Sequence, residues 1–212
     1  MSSPINPLVD YAFKRLLGDP RHVDILIDFL NAILRPDPPI RQVAILNPFN
    51  PKAFQDDKLT VVDVKAVDEA GRTYQIEVQL SLLRTLKARA LYSWARLHAD
   101  QLVEGQDYGL VRPTIAIWVL DGVLFRERDE VHLRFRLSDD RLGLVFNDQL
   151  ELHMLQLGCF SLPQALDAES EWVYFLKEAR RWTELPAALH TPALRKAMDQ
   201  LKTIRQSKED LA

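Results

Sequence analysis

Hydrophobic spacing divides the chain into helical and extended segments. Leu8, Tyr11, Ala12, Leu16 and Leu17 recur at helical intervals between Pro7 and Leu17, and Gly18-Asp19-Pro20 ends the run. Ile25, Phe29, Leu30 and Ile33 mark a second helix over Val23–Leu34, stopped by Pro36, Pro38 and Pro39. The period then shortens. Ile40–Leu46 reads as a short strand and Asn47–Asp57 as a loop. Leu59–Val67 and Thr73–Leu80 read as two strands joined by a turn. A long helix is expected over Leu82–Glu104, with Leu83, Leu86, Ala90, Trp94 and Leu97 as its buried seam. Thr114–Leu120 is almost continuously apolar, as in a strand covered on both faces. Further strands are expected at Val131–Leu137 and Glu151–Leu157. From Pro163 the chain turns helical and charged, with Ser207–Ala212 fraying. The class is mixed α/β: a core domain over 1–160 and a helical extension over 161–212.

The hairpin between Leu59 and Leu80 has a definable register. Ala70-Gly71 fits a two-residue type I′ turn poorly, because Ala resists a positive φ. A three-residue loop, Glu69-Ala70-Gly71, places Gly71 in the left-handed region and leaves Asp68 and Arg72, of opposite charge, at its ends. Val62 then faces Val78, Val64 faces Ile76 and Ala66 faces Tyr74, so one side is wholly apolar. On the other side Asp63 faces Glu77 and Lys65 faces Gln75, with Gln79 two residues beyond Glu77. A two-residue loop would mix polar and apolar residues on both sides.

Composition removes most rival chemistries. The 212 residues carry 27 basic and 30 acidic side chains, a formal charge of -3, so no overall basic field is present. One cysteine, Cys159, makes neither a disulfide framework nor a cysteine zinc cluster. The seven glycines form no Gly-x-Gly, the five histidines no i,i+4 pair, and no serine sits in a Gly-x-Ser-x-Gly elbow. The first residues lack the features of a signal peptide, and the longest apolar run, Ile115–Leu120, is far short of a membrane span. A cytoplasmic protein with no membrane attachment and no organic cofactor is expected.

Carboxylate chemistry remains. Cross-strand neighbours lie roughly 5 Å apart at Cβ, and like charges there repel unless a counter-charge intervenes. Two carboxylates plus waters suit Mg²⁺ or Mn²⁺. A charged strand face facing solvent is the plainer alternative for Asp63 and Glu77.

Asp63, a gap of 13 residues and then Glu77-Val78-Gln79 resembles the Asp…(Asp/Glu)-x-Lys signature of the PD-(D/E)XK nuclease superfamily in a Glu-x-Gln form. Further segments are similar to one branch, the recombination-promoting nucleases and transposases: Asp10 to Asp19, Asp28 to Leu34, Asp57-Lys58, Ile76 to Gln79, Arg89 to Tyr92, Gln101 to Leu110, Leu152 to Leu157, and Trp172 with Phe175-Leu176. The resemblance implies a restriction-endonuclease-like αβββαβ core with a mixed sheet. It also implies metal-dependent cleavage of DNA phosphodiesters. Asp63, Glu77 and the Val78 carbonyl would be metal ligands, and Asp10 a further acid. Gln79 stands where the superfamily has Lys, and Lys65 is expected to supply the missing charge, with Lys14 or Lys58 as substitutes.

Arg84, Lys87, Arg89 and Arg96 give the long helix a basic side, so Lys14, Lys58, Arg84, Lys87 and Arg89 are candidate DNA contacts. A homodimer would let the enzyme reach both strands. A non-catalytic DNA-binding or assembly module on the same fold is the rival reading, and RNA or a nucleotide is an alternative substrate. Tyr92 and Tyr108 are expected to pack, with Tyr92 near the site, and the four tryptophans to lie in the core or at an interface.

Overall fold

The computed structural model describes residues 5–47 and 63–209, with side chains through Ile204. Lys58, Asp57 and Val62, singled out above, lie outside the described residues. Two helices, α1 (Asp10–Leu17) and α2 (Val23–Leu34), precede the strands β1 (Val43–Ile45), β2 (Val64–Asp68) and β3 (Thr73–Gln79). Helix α3 (Leu86–Ala99) crosses to β4 (Thr114–Leu120), followed by β5 (His132–Arg136), β6 (Leu150–Gln156), α4 (Ala168–Glu178) and α5 (Pro192–Glu209). The six strands form one mixed sheet in the order β1-β2-β3-β4-β6-β5. Strands β3, β4 and β6 run parallel, and the remaining neighbours pair antiparallel. This is the α/β architecture of a restriction-endonuclease-like core.

The three-residue turn is present. Gly71 sits at φ +80°, Gly71 N–H donates to the Asp68 carbonyl at 3.0 Å, and Asp68 N–H donates to the Arg72 carbonyl at 3.1 Å. Val64 pairs with Ile76, Lys65 with Gln75 and Ala66 with Tyr74, as the hydrophobic alternation requires. The charged ends of the turn meet over the buried Asp68 carboxylate. It accepts the backbone N–H groups of Ala70 and Arg72, the Arg72 guanidinium at 2.6 Å and the Tyr74 hydroxyl at 2.7 Å.

Alternation along β4 shows how the sheet is covered. Ile115, Ile117 and Val119 join the larger apolar cluster with α1, α2, α4 and α5, while Ala116, Trp118 and Leu120 join a smaller one with Leu86 and Ala90 of α3. The apolar side of the hairpin, Val64, Ala66, Tyr74 and Ile76, is fully buried in the larger cluster. Helices α4 and α5 share that cluster, contributing Trp172, Phe175, Leu194 and Leu201 among others. The Trp172 indole N–H donates to Asp28 on α2 at 2.7 Å.

Several expectations are corrected. Helix α3 is shorter than Leu82–Glu104, and Leu83, placed in its seam, is 60% exposed. Leu83 lies in the turn before the helix, where its carbonyl accepts Leu86 N–H. Tyr92 and Tyr108 do not pack; both are exposed. Leu86, Ala90 and Leu97 take the sheet side of α3 and turn Tyr92 outward, and Tyr108 belongs to a single 3₁₀ turn. The C-terminal helix continues through Ser207 to Glu209. Among the described residues, no helix is long and apolar enough to cross a membrane.

Candidate active site

The polar side of the hairpin lies beneath α3. Gln75 and Glu77 alternate with the apolar Tyr74 and Ile76, and that phase turns them towards α3. Gln75 is fully buried, donating its amide to Glu77 Oε1 at 3.1 Å and to the Ser93 hydroxyl on α3. The Glu77 side chain is 7% exposed. The plainer reading of these positions as a solvated strand face is therefore set aside, because α3 covers them.

Asp63 lies one residue before β2 begins. Its carboxylate accepts Val78 N–H of β3 at 2.7 Å, so the side chain continues the ribbon where the ladder stops. Helix α1 approaches from the other direction. Lys14 Nζ lies 3.6 Å from Asp63 and 3.0 Å from Asp10, one helical turn earlier. Lys14, read above as a DNA contact or a substitute charge, thus lies against the acids.

The electrostatics tie these groups together. Burial, followed by the charge of Glu77, pushes the Asp63 carboxyl up to about 7; the Val78 N–H opposes this, and Asp10 adds to it through a hydrogen bond and its own charge. Burial also raises Glu77, opposed by the Gln75 amide, the Arg89 guanidinium, the Asp63 N–H and Lys14. Both carboxyls are thus held above their usual range, by burial in each case and, for Asp63, also by the charge of Glu77.

Helix α3 brings one further cation. Arg89, read above as a DNA contact, donates to Gln79 Oε1 at 3.2 Å and lies 3.9 Å from Glu77. Lys87 instead lies over the Phe125 ring at 3.9 Å, and Arg84 is exposed ahead of α3. Lys65 pairs with Gln75 in the ladder, and its ammonium has no ion pair among the described residues. The residues brought together are therefore Asp10, Lys14, Asp63, Glu77, Gln79 and Arg89. Arg89 sits ten positions after Gln79, and no sequence spacing signals that they meet.

The donor set fits a hard divalent cation. It offers carboxylate oxygens and a backbone carbonyl, without sulfur or imidazole. Gln75 Oε1 is buried with no hydrogen-bond partner among the described residues, an acceptor available to a water inside the site. Among the described residues, no three acids converge into a ready-made cage. A bound ion would therefore draw on waters as well as protein oxygens.

A second polar cluster escaped the sequence reading. His132 of β5 meets Glu169 of α4 at 3.1 Å and His153 of β6 at 2.7 Å, and His153 lies 3.2 Å from Glu151. The β5–β6 register makes the two histidines diagonal neighbours. Their 21-residue separation gave no sign of this.

Comparison with curated proteins finds no match, and comparison with solved structures finds none. Residues 7–212 match the model of the PD-(D/E)XK nuclease family transposases. That span takes in the hairpin, α3 and both C-terminal helices, and the protein belongs to this family.

Proposed function

We propose that the protein is a metal-dependent DNA endonuclease that hydrolyses phosphodiester bonds, in the setting of recombination or mobile elements. The observation that carries this reading is that Asp63 and Glu77 are both buried at the β2–β3 hairpin, Asp63 on the Val78 N–H and Glu77 on the Gln75 amide, with each carboxyl raised by its surroundings. Isolated from water in this way, two carboxylates are costly unless a cation joins them. Membership of a nuclease family supports the same chemistry.

Asp63, Glu77 and the Val78 carbonyl would hold Mg²⁺ or Mn²⁺, with Asp10 as a further acid. When bound, the ion supplies a lowered pKa for its water and neutralises charge on the phosphate. The chain's own residues do the rest. Gln75 and the Val78 N–H fix the two carboxylates, while α3 shields them from bulk water. Lys14, Lys65 and Arg89 are the candidate cations for a phosphate. Arg84 and Lys87 serve as outer DNA contacts, Lys58 is a further candidate contact, and a homodimer would address two strands.

One observation favours the non-catalytic module: Lys14 already pairs with both Asp10 and Asp63, a partial compensation that needs no metal. Plasmid nicking in Mg²⁺, Mn²⁺ or EDTA, with Asp63→Ala alongside and single-stranded DNA, RNA and nucleotides as further substrates, tests the proposal. Metal-dependent nicking lost in Asp63→Ala is the expected result. A wild type that cuts nothing under any metal condition overturns the endonuclease reading.

A further inference from the structure

The substitution of Gln79 for the superfamily lysine leaves a question of charge. Glutamine can accept and donate hydrogen bonds but carries no charge. An acceptor in that place can instead hold a cation that comes from elsewhere, and Gln79 does so. Its Oε1 accepts Arg89 Nη1 at 3.2 Å. The second terminal nitrogen, Nη2, lies 3.9 Å from Glu77 Oε2, and the guanidinium carbon stands 5.5 Å from the Trp118 ring centre. Trp118 is the β4 partner of Glu77 in the parallel ladder, so the aromatic ring, the acid and the glutamine bound one space.

From these contacts we infer that Arg89 is the catalytic cation at the scissile phosphate and Gln79 its positioning residue. Together they do what a lysine at position 79 does alone. The inference rests on the endonuclease reading and names a residue that reading leaves open. Arg89 is 45% exposed. Among the described residues its guanidinium makes one hydrogen bond out of five N–H donors. The remaining donors can meet two oxygens of a phosphate in the fork geometry that guanidinium favours. The other two cations differ. Lys14 is engaged with Asp10 and Asp63, and among the described residues the Gln79 side chain hydrogen-bonds Arg89 rather than Lys65.

In the hydrolysis, the water oxygen bonds to phosphorus as the bond from phosphorus to the leaving sugar oxygen breaks. One proton of the water ends on the leaving oxygen. Arg89 exchanges no proton; it remains a fixed positive charge facing the phosphate oxygens as negative charge accumulates there.

The test compares wild type, Arg89→Ala, Arg89→Lys, Gln79→Lys and the double variant Arg89→Ala/Gln79→Lys. Nicking rate, Mn²⁺ binding to the DNA-free protein by calorimetry, and thermal unfolding are measured for each. Arg89→Ala is expected to slow nicking by about 10²–10³-fold, the range for loss of one preorganised donor, while Mn²⁺ binding stays as tight as in wild type or tightens. Arg89→Lys retains part of the rate. Lys at position 79 in the Arg89→Ala background restores nicking to within about tenfold of wild type, since the charge returns by the shorter route. A wild type that cuts while Arg89→Ala cuts equally well overturns this inference alone. So does a slow Arg89→Ala that Gln79→Lys fails to rescue, or one that loses Mn²⁺ binding together with activity. A wild type that cuts nothing overturns the endonuclease reading and this inference with it.

Discussion

At the scale of single residues, the decisive quantity is the cost of burying charge. Asp63 binds its proton more tightly in the folded chain than in the unfolded one, because burial and Glu77 disfavour its anion. The folded state therefore holds more protons between the ordinary carboxylate range and about 7, and the contribution of Asp63 to stability falls as pH rises across that window. In metal-free buffer at pH 8, Asp63→Asn is expected to stabilise the protein, on the order of 1 kcal/mol, measured by urea unfolding. Saturating Mg²⁺ should raise the wild-type midpoint and leave that of Asp63→Asn unchanged, since a ligand stabilises only the state that binds it. His153 has the opposite sign. Burial, then the neighbouring His132 and Arg136 charges, lower its pKa to about 3, with Glu169 opposing. Below about 6.5 the unfolded chain takes up a proton that the folded one refuses, so stability drops as pH falls towards 3. This single group contributes a slope of up to about 1.4 kcal/mol per pH unit. His153→Gln should remove it, visible as a shallower dependence between pH 7 and 5.

At the scale of elements, the β2–β3 hairpin sets the relative position of the two acids, and its turn sets the hairpin. Gly71 supplies the positive φ that closes the loop, and Asp68 gathers two backbone N–H groups, a guanidinium and the Tyr74 hydroxyl at its base. Asp68→Ala leaves a buried hydroxyl and a partly buried guanidinium without their acceptor, at a cost of about 3 kcal/mol. It should lower the unfolding midpoint and, by loosening the register that aligns β2 with β3, reduce nicking more than an equally destabilising change in α5. Helix α3 acts as an element too. Its apolar side lies over β4 while Ser93 and Arg89 reach down to Gln75, Gln79 and Glu77, so a helix that crosses from β3 to β4 also completes the site.

For the whole molecule, the sheet divides two cores of unequal size. The larger binds α1, α2, α4 and α5 to the apolar side of the hairpin; the smaller is covered by α3. Helices α1 and α3, which pack on opposite faces of the sheet, each bring a cation to the site, Lys14 beside Asp63 and Arg89 beside Glu77. Trp172 joins α4 to this assembly through Phe29, whose ring centre is 5.3 Å away, and through Asp28. Trp172→Ala is expected to cost about 3–5 kcal/mol. Thermal unfolding should then show one transition at lower temperature, as residues 161–212 and the preceding core lose stability together; two separated transitions would argue that the C-terminal part folds on its own.

Periodicity along the chain determined the elements and the hairpin. The alternation in Val64–Ala66 and Tyr74–Ile76 admits one register, and Val23–Leu34 and Thr114–Leu120 run as the pattern indicates. The expectation that Asp63 faces Glu77 came from that register; the ladder itself stops at Val64 and Ile76, and Asp63 meets β3 through its carboxylate on the Val78 N–H. The sequence did not reveal what covers the polar side. Whether Glu77 meets water or α3 depends on where a helix returns after its strand, and local spacing does not encode that. The same holds for Lys14 beside Asp63, Arg89 on Gln79 and His132 against His153. Each contact joins elements whose separation along the chain is unrelated to their distance in space, and burial, which gives those charges their energy, exists only after the layers have closed.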